Sequence, residues 1–312
     1  MSIEMDASIQ RVALIGYGEV GRILAEDLRA QGKPVCAYDL KLGAEFGHAL
    51  RAHAADHGVA LADCHAAALQ GAGLVISAVT ASQTVPVAQA CAAAIAPGAF
   101  FLDFNSASPG AKKQAAACID AAGGRYVEGA VMTTVPPYRI RVPLLLGGPH
   151  AHALLPLLQA LGFAPRVASA TLGVASATKM CRSIMIKGLE AMVIEAFTTA
   201  RHHGVEDAVI ASLVETYPGI DWEKQGAYLF QRVIEHGRRR SEEVREVAAT
   251  VREAGLDPFS ASGTAERQAW MADQADAGVF GQRGSAGFAR SADWRIEADR
   301  ILQSLPSTEN PA

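Results

Sequence analysis

The chain has 312 residues, 50% of them hydrophobic and 19% charged, with a formal net charge of −4. That length suffices for two domains with substantial cores. The weak negative charge supplies no basic field for nucleic acid, and no apolar run reaches the ~18 residues of a transmembrane helix.

The start, Met1 to Asp6, is acidic and leads directly into an apolar segment, so no secretory signal is expected and the reading is of a cytoplasmic protein. Five cysteines (Cys36, Cys64, Cys91, Cys118, Cys181) lie among apolar neighbours without metal-ligand spacing and read as reduced core residues. The nine histidines are dispersed, and no metal is assigned.

Arg11 to Ile15 is an apolar run suited to a buried parallel strand, and Val20, Ile23, Leu24 and Leu28 then recur at helical spacing. Between them lies Gly16-Tyr17-Gly18-Glu19-Val20-Gly21 on a strand-to-helix turn. In this context each glycine has a reason. Gly16 makes the tight turn, Gly18 lets the backbone approach a pyrophosphate, and Gly21 lets helix and strand pack closely, with the helix N-terminus facing the anion. Gly32 and Pro34 stop the helix, Val35 to Tyr38 reads as a second strand, and Asp39 closes it where a carboxylate can accept from the adenosine ribose hydroxyls. Asp39 favours NAD, because a carboxylate repels a 2′-phosphate; Lys41 keeps NADP possible.

Ala44 to His57 reads as helix, Val59 to Leu61 as a short strand and Leu74 to Val79 as a buried strand. A helix from Ser82 to Ile95, a strand from Ala99 to Asp103 and a helix beginning near Pro109 follow. Arg125 to Val131 and Val142 to Leu146 read as strands, and Ala151 to Leu161 as helix. These β-α units predict a doubly wound parallel sheet of Rossmann type over residues 1–171, with ligand at the carboxyl ends of its strands. Val79 and Thr80 join the glycine turn as cofactor-binding candidates. From Leu172 the pattern is helical only, predicting an all-α domain over 172–312. Its first helix, Val174 to His203, is expected to link the domains and wall a cleft. Further helices are expected at Glu206 to Thr216, Asp221 to His236, Ser241 to Ala254, Gly263 to Ala275 and Ala292 to Leu305, before a frayed tail.

On the long helix Lys179, Ser183 and Lys187 are four residues apart and share a stripe. Helical lysines are usually solvated. Lys179, however, follows the small-residue run Gly173 to Thr178, and a lysine partly desolvated there near other cations would have the lowered pKa that suits proton exchange. Asp103-Phe104-Asn105-Ser106-Ala107-Ser108-Pro109 ends a strand with an amide and hydroxyls; Ser108 suits a helix cap and Asp103 a turn tie, leaving Asn105 and Ser106 for a ligand. Glu128 to Pro137, with Met132, Thr133 and Thr134 within it, runs from a strand into a loop stiffened by two prolines, which a rigid turn would also explain. In Arg238-Arg239-Arg240-Ser241-Glu242-Glu243, Arg238 with Glu242 and Arg239 with Glu243 form i,i+4 pairs that fit a solvated helix start, or one arginine meets an anionic substrate.

Taken together and in this order, these stretches resemble the β-hydroxyacid dehydrogenase and 6-phosphogluconate dehydrogenase superfamily, in a branch with its own helical C-terminal domain. Gly16 to Gly21 matches the cofactor motif, Asp103 to Pro109 is similar to the Asp-x-Ser-Thr-x-x-Pro element, and Gly173 to Lys179 resembles the Gly-x-Gly-x-x-x-Lys motif. The resemblance implies that Lys179 is a catalytic acid/base, assisted by Ser183, and that the protein is a homodimer. Two departures stand out. Met132-Thr133-Thr134 replaces the Ser-Gly-Gly that grips a substrate carboxylate, and Ser183 stands where the family commonly has Asn. The expected function is therefore NAD(P)-dependent oxidation of a small, anionic hydroxy acid, with Lys187 or an arginine such as Arg240 meeting its charge. Imine reduction on the same fold and dinucleotide sensing without turnover are the alternatives.

Overall fold

The computed structural model describes residues 9–43, 47–285, 287–288 and 291–306. The acidic start, the first three residues of the helix expected from Ala44 and the tail beyond Pro306 lie outside them. The chain divides into two compact units, Met1–Cys181 and Arg182–Ala312.

The first unit is built on an eight-stranded sheet. Its strands are β1 (Val12–Ile15), β2 (Val35–Tyr38), β3 (Ala60–Leu61), β4 (Leu74–Ser77), β5 (Phe100–Asp103), β6 (Arg125–Val131), β7 (Pro143–Gly147) and β8 (Ala164–Ser169), in the spatial order β3-β2-β1-β4-β5-β6-β7-β8. The helices of this unit are α1 (Glu19–Ala30), α2 (Gly47–Asp56), α3 (His65–Leu69), α4 (Thr84–Ala92), α5 (Pro109–Ala121), α6 (Ala151–Ala160) and the start of α7 (Val174–His203).

Successive strand residues point to opposite faces, and here both faces are apolar. Val12, Leu14, Leu74, Ile76 and Leu102 join Leu24 and Leu28 of α1, Leu50 of α2 and Leu154 and Leu158 of α6 in one core. Ala13, Ile15, Val75 and Phe101 join Leu69 of α3, Val87 and Cys91 of α4 and Ile119 of α5 in the other. Strands buried on both faces read as unbroken apolar runs, which is why they are visible in the sequence.

Three features depart from the expected pattern. First, β7 runs antiparallel to β6, while every other neighbouring pair is parallel. The β6–β7 connection carries a short 3-10 turn, Arg139–Arg141, but no crossover helix, and a parallel return needs such a crossover. Second, β8 is an unexpected edge strand whose residues are each exposed or half-buried. With Pro165 and Arg166 in place of an apolar run it has no core-strand signature, and an edge strand tolerates the proline. Third, α3 was not expected; at five residues it is too short to display a helical period. The cysteines also divide: Cys36 and Cys91 are buried, Cys118 is half-buried, but Cys64 and Cys181 are exposed, which corrects their reading as core residues. Burial pushes the Cys91 thiol up to about 12.

The second unit holds the rest of α7 with α8 (Glu206–Thr216), α9 (Trp222–Glu253), α10 (Phe259–Asp276) and α11 (Trp294–Ser304). Phe197, Phe230, Val233, Met271 and Trp294 form its core. The segments expected as two helices from Asp221 to His236 and from Ser241 to Ala254 are one continuous α9, so the arginine run lies in mid-helix. Gly237 does not break the helix, because its lack of a side chain serves packing. A Cβ there would lie 2.7 Å from the carbonyl oxygen of Gln268 on α10, so glycine permits the close α9–α10 approach. Among the described residues, no helix is long and apolar enough to cross a membrane.

A buried ion pair ties the end of β5 to α5. Lys112 Nζ lies 2.9 Å from Asp103 Oδ1, each side chain 1% exposed, and also donates to the Asp103 carbonyl. Asp103 further accepts from the Asn105 N–H and the Tyr126 hydroxyl. Burial, with the Asp103 carboxylate beside it, holds the Tyr126 hydroxyl well above its ordinary pKa. Removing one partner of a buried pair strands the other charge, at a cost of about 3–5 kcal/mol. Lys112→Met should therefore lower unfolding stability in urea by about that amount. The double variant Lys112→Met/Asp103→Leu should recover only part of the loss, because Tyr126 and the Asn105 N–H then lack their acceptor.

Candidate cofactor and substrate site

The sheet changes direction at β1. The chain leaves β1 for β2 and β3 on one side, then crosses to β4 and β5 on the other, so the carboxyl ends of β1 and β4 form a topological switch point where ligands of such sheets bind. The glycine turn lies on this edge. Gly16 has φ +97°, and a Cβ on it would lie 2.3 Å from the Ala78 carbonyl oxygen. A Cβ on Gly21 would lie 2.1 Å from the Gly16 carbonyl oxygen. Both are required by the fold itself. Gly18 is different: it is the N-cap of α1 at φ −75°, and among the described residues nothing lies within 4 Å of its Cβ position. Packing among the described residues therefore sets no need for glycine at 18, and the open space beside it lies at a helix N-terminus without a side-chain cap. These residues fit the pyrophosphate of a dinucleotide.

The other residues of the motif divide by environment. Glu19 is exposed and Val20 half-buried against the core. The Tyr17 side chain is fully buried, its hydroxyl 2.9 Å from His53 Nδ1, and burial pushes it up to about 12. Only its backbone belongs to the ligand edge: the Tyr17 N–H donates to Asp39 Oδ2 at 2.7 Å, and the Lys41 N–H donates to Asp39 Oδ1 at 2.8 Å. Asp39 thus latches the glycine turn to the end of β2. Each carboxylate oxygen retains a second acceptor site for a ribose hydroxyl.

Across the switch point, the Val79 N–H donates to Asn105 Oδ1 at 2.7 Å, and Asn105 Nδ2 donates to the Ser77 hydroxyl. Asn105 is 2% exposed with both ends of its amide engaged, so it joins the ends of β4 and β5 rather than facing a ligand. Thr80, next to the half-buried Val79, is exposed at the same edge.

Ser106 and Lys179, distant in sequence, come together: Lys179 Nζ donates to Ser106 Oγ at 2.5 Å. The placement of Lys179 originates in Glu128, fully buried on β6. Its Oε1 accepts from the N–H groups of Gly173 and Ala175, and its Oε2 from the Ser176 hydroxyl. A carboxylate at a helix N-terminus satisfies unpaired N–H groups and opposes the helix dipole. Gly147 on β7 gives this carboxylate room, since a Cβ there would lie 2.2 Å from Glu128 Oε1. The sequence signal for Glu128 is a carboxylate inside an otherwise apolar strand; a buried charge of that kind needs partners.

Met132 is half-buried against Ala130, Leu145 and Ala175, while Thr133 and Thr134 are exposed. The loop they open is held to α1. Arg139, at φ +53°, reaches Glu26 and Asp27, and the Ile140 N–H donates to Asp27 Oδ2.

The remaining candidates belong to the second unit. Ser183 is buried. Lys187, 6% exposed, pairs with Glu243 at 2.6 Å; burial pushes its pKa down, with the Glu243 carboxylate opposing that shift. Arg240, 4% exposed, makes a two-pronged pair with Glu190, which also accepts from Gln268. Both cations have internal counter-ions. Within the arginine run Arg239 pairs with Glu243 as expected, but Arg238 meets Asp273 and Asp276 of α10 instead of Glu242.

Residues 11–163 match the NAD binding domain of 6-phosphogluconate dehydrogenase, and residues 200–271 match a domain of unknown function, DUF1932. A conserved hypothetical protein from Sinorhizobium meliloti 1021 is 34% identical, with 97% of this chain and 99% of that one covered and a TM-score of 0.73. The chain belongs to the 6-phosphogluconate dehydrogenase-like superfamily. The conserved protein MTH1747, described as structurally similar to 3-hydroxyacid dehydrogenases, is 27% identical over 86% of this chain and 98% of that one, with a TM-score of 0.66. The 3-hydroxyisobutyrate dehydrogenase of Mycobacterium tuberculosis, solved with L-serine, shares the fold at 17% identity over 94% of this chain and 99% of that one, with a TM-score of 0.70. The superfamily's NAD-binding, hydroxyacid dehydrogenase-like fold is thus the scaffold on which these residues stand.

Two expectations follow. Gly18→Ala should leave the melting temperature nearly unchanged while weakening NAD binding in a fluorescence titration, whereas Gly21→Ala should lower the melting temperature, because its Cβ meets rigid backbone. Arg240→Ala should destabilise the protein by about 3–5 kcal/mol in denaturant titration, as expected when Glu190 is left buried without its counter-ion.

Proposed function

We propose that the protein is an NAD-dependent oxidoreductase that oxidises a small hydroxy acid, with Lys179 as the group that takes the hydroxyl proton. The observation that carries this reading is the Lys179 Nζ to Ser106 Oγ hydrogen bond of 2.5 Å, which places an amine beside a hydroxyl at the carboxyl end of β5. Nicotinamide, when bound, supplies the hydride acceptor. The chain supplies position and proton transfer: the glycine turn and uncapped start of α1 take the pyrophosphate, Asp39 takes the ribose hydroxyls, and Lys179 receives the proton from the substrate oxygen as the C–H bond is lost.

Ser106 holds the amine in place before substrate arrives and then shares the substrate hydroxyl with it. Thr133 and Thr134 are exposed on a loop pinned to α1 and offer hydroxyls and backbone N–H groups to a carboxylate. Lys187 and Arg240 are left out of this reading, since Glu243 and Glu190 already meet their charges. Asp39 supports NAD over NADP, as its carboxylate would oppose a 2′-phosphate.

A screen of hydroxy acids with NAD and NADP in parallel, read by nicotinamide absorbance, identifies the substrate. With that substrate Lys179→Ala should lower kcat by about 10²–10⁴-fold while cofactor affinity holds, and Lys179→Arg should not restore the rate, because guanidinium stays protonated. A Lys179→Ala enzyme that turns over at the wild-type rate across neutral pH would overturn the proton role. Asp39→Ala should weaken NAD and narrow the gap to NADP; a wild-type preference for NADP would reverse that assignment.

A further inference from the structure

Behind the glycine turn, α1 and α2 bring together Glu26, His53 and His57, with one ligand atom of each within 4.8 Å of the others. His53 and His57 are one helical turn apart, a spacing that puts two side chains on one face. The His57 N–H donates to the His53 carbonyl at 3.1 Å, so the helical turn extends to His57. Their rings are stacked with centroids 4.5 Å apart. From α1, Glu26 Oε1 lies 2.9 Å from His53 Nε2, and its other oxygen is held by Arg139 at 2.7 Å. The dispersed appearance of the histidines in the sequence conceals this arrangement, because the third group comes from another helix.

We propose that Glu26, His53 and His57 form a site for a divalent transition-metal ion of the zinc type. The ligands are Glu26 Oε1, His53 Nε2 and a His57 ring nitrogen, with water in the fourth position. Two imidazoles and one carboxylate form a donor set for such an ion; oxygen-seeking Mg²⁺ or Ca²⁺ is disfavoured by the two nitrogens. Tetrahedral coordination at ~2.0–2.1 Å separates neighbouring ligand atoms by about 3.4 Å, so His53 and Glu26 need to part by only about half an ångström. His57 is exposed, and its ligand atom already lies within 4.8 Å of the other two.

The outer contacts fit as well. A ligating histidine normally donates its second ring N–H to an acceptor that fixes the tautomer and ring orientation. At His53 that acceptor is the Tyr17 hydroxyl, 2.9 Å from Nδ1 and fully buried. Arg139, which also pairs with Asp27, orients the Glu26 carboxylate and leaves Oε1 toward the histidines. Tyr17 belongs to the glycine turn, and its N–H donates to Asp39, so an ion here stiffens the turn from below without entering the ligand edge.

Metal-stripped full-length protein titrated calorimetrically with zinc chloride, and with cobalt chloride followed by visible absorption, tests the site. The expected result is one zinc ion per chain, a tetrahedral cobalt spectrum and a zinc-dependent rise in melting temperature. His57→Ala, at an exposed position, should abolish all three while keeping the far-ultraviolet circular dichroism of the parent. Glu26→Gln should weaken zinc binding at least tenfold. The variant His202→Ala/His203→Ala, which removes the adjacent surface pair on α7, should bind as the parent does. Absence of stoichiometric zinc binding, or full binding by His57→Ala, overturns the proposal, and neither outcome depends on the substrate or on Lys179.

Discussion

The placement of the Glu128 carboxylate governs the chemistry-bearing half of the first unit. A fully buried charge is tolerated only with several donors, and Glu128 finds them in the unpaired N–H groups at the start of α7 and in the Ser176 hydroxyl. The same contact fixes the origin of the helix, and α7 then carries Lys179 to Ser106 by its own geometry. Gly147 is part of this arrangement, since any larger residue would occupy the carboxylate's position. Helix start, sheet and amine are thus set by one buried side chain.

The opposite edge of the site is assembled in the same manner, by polar groups that satisfy each other at the ends of strands. Asp39 holds the turn after β1 to the end of β2, and Asn105 holds the end of β4 to the end of β5. Asp103 and Lys112 anchor the segment from below. What these contacts leave open is informative: among the described residues, no group fills the space beside Gly18. A backbone that is rigid on both sides of an open, uncapped helix start is preorganised for an anion.

Much of this was legible in the sequence where physics acts locally. Strands β1, β4 and β5 declare themselves as apolar runs because both faces are covered, and α7 and α8 have their expected bounds because nothing within them interrupts the helical period. Residues that take their meaning from a distant partner were not legible. Asn105 and Arg240 look available until the groups that engage them, Val79 and Ser77 for one and Glu190 for the other, are brought near by the fold. Gly237 reads as a helix breaker until α10 packs across it. The antiparallel β7 and the edge strand β8 have the same origin: direction and edge position belong to the sheet, and a single strand's composition does not encode them.

The loop after β6 has its own consequence. Arg139 accepts a left-handed backbone, uncommon for a residue with a side chain, and its guanidinium is held by two neighbouring acids of α1, the helix that begins at the glycine turn. The loop bearing Thr133 and Thr134 and the helix that follows the glycine turn are therefore joined by a short electrostatic bracket. A substitution at Arg139 would therefore loosen the loop and the helix at once, since one guanidinium serves both acids.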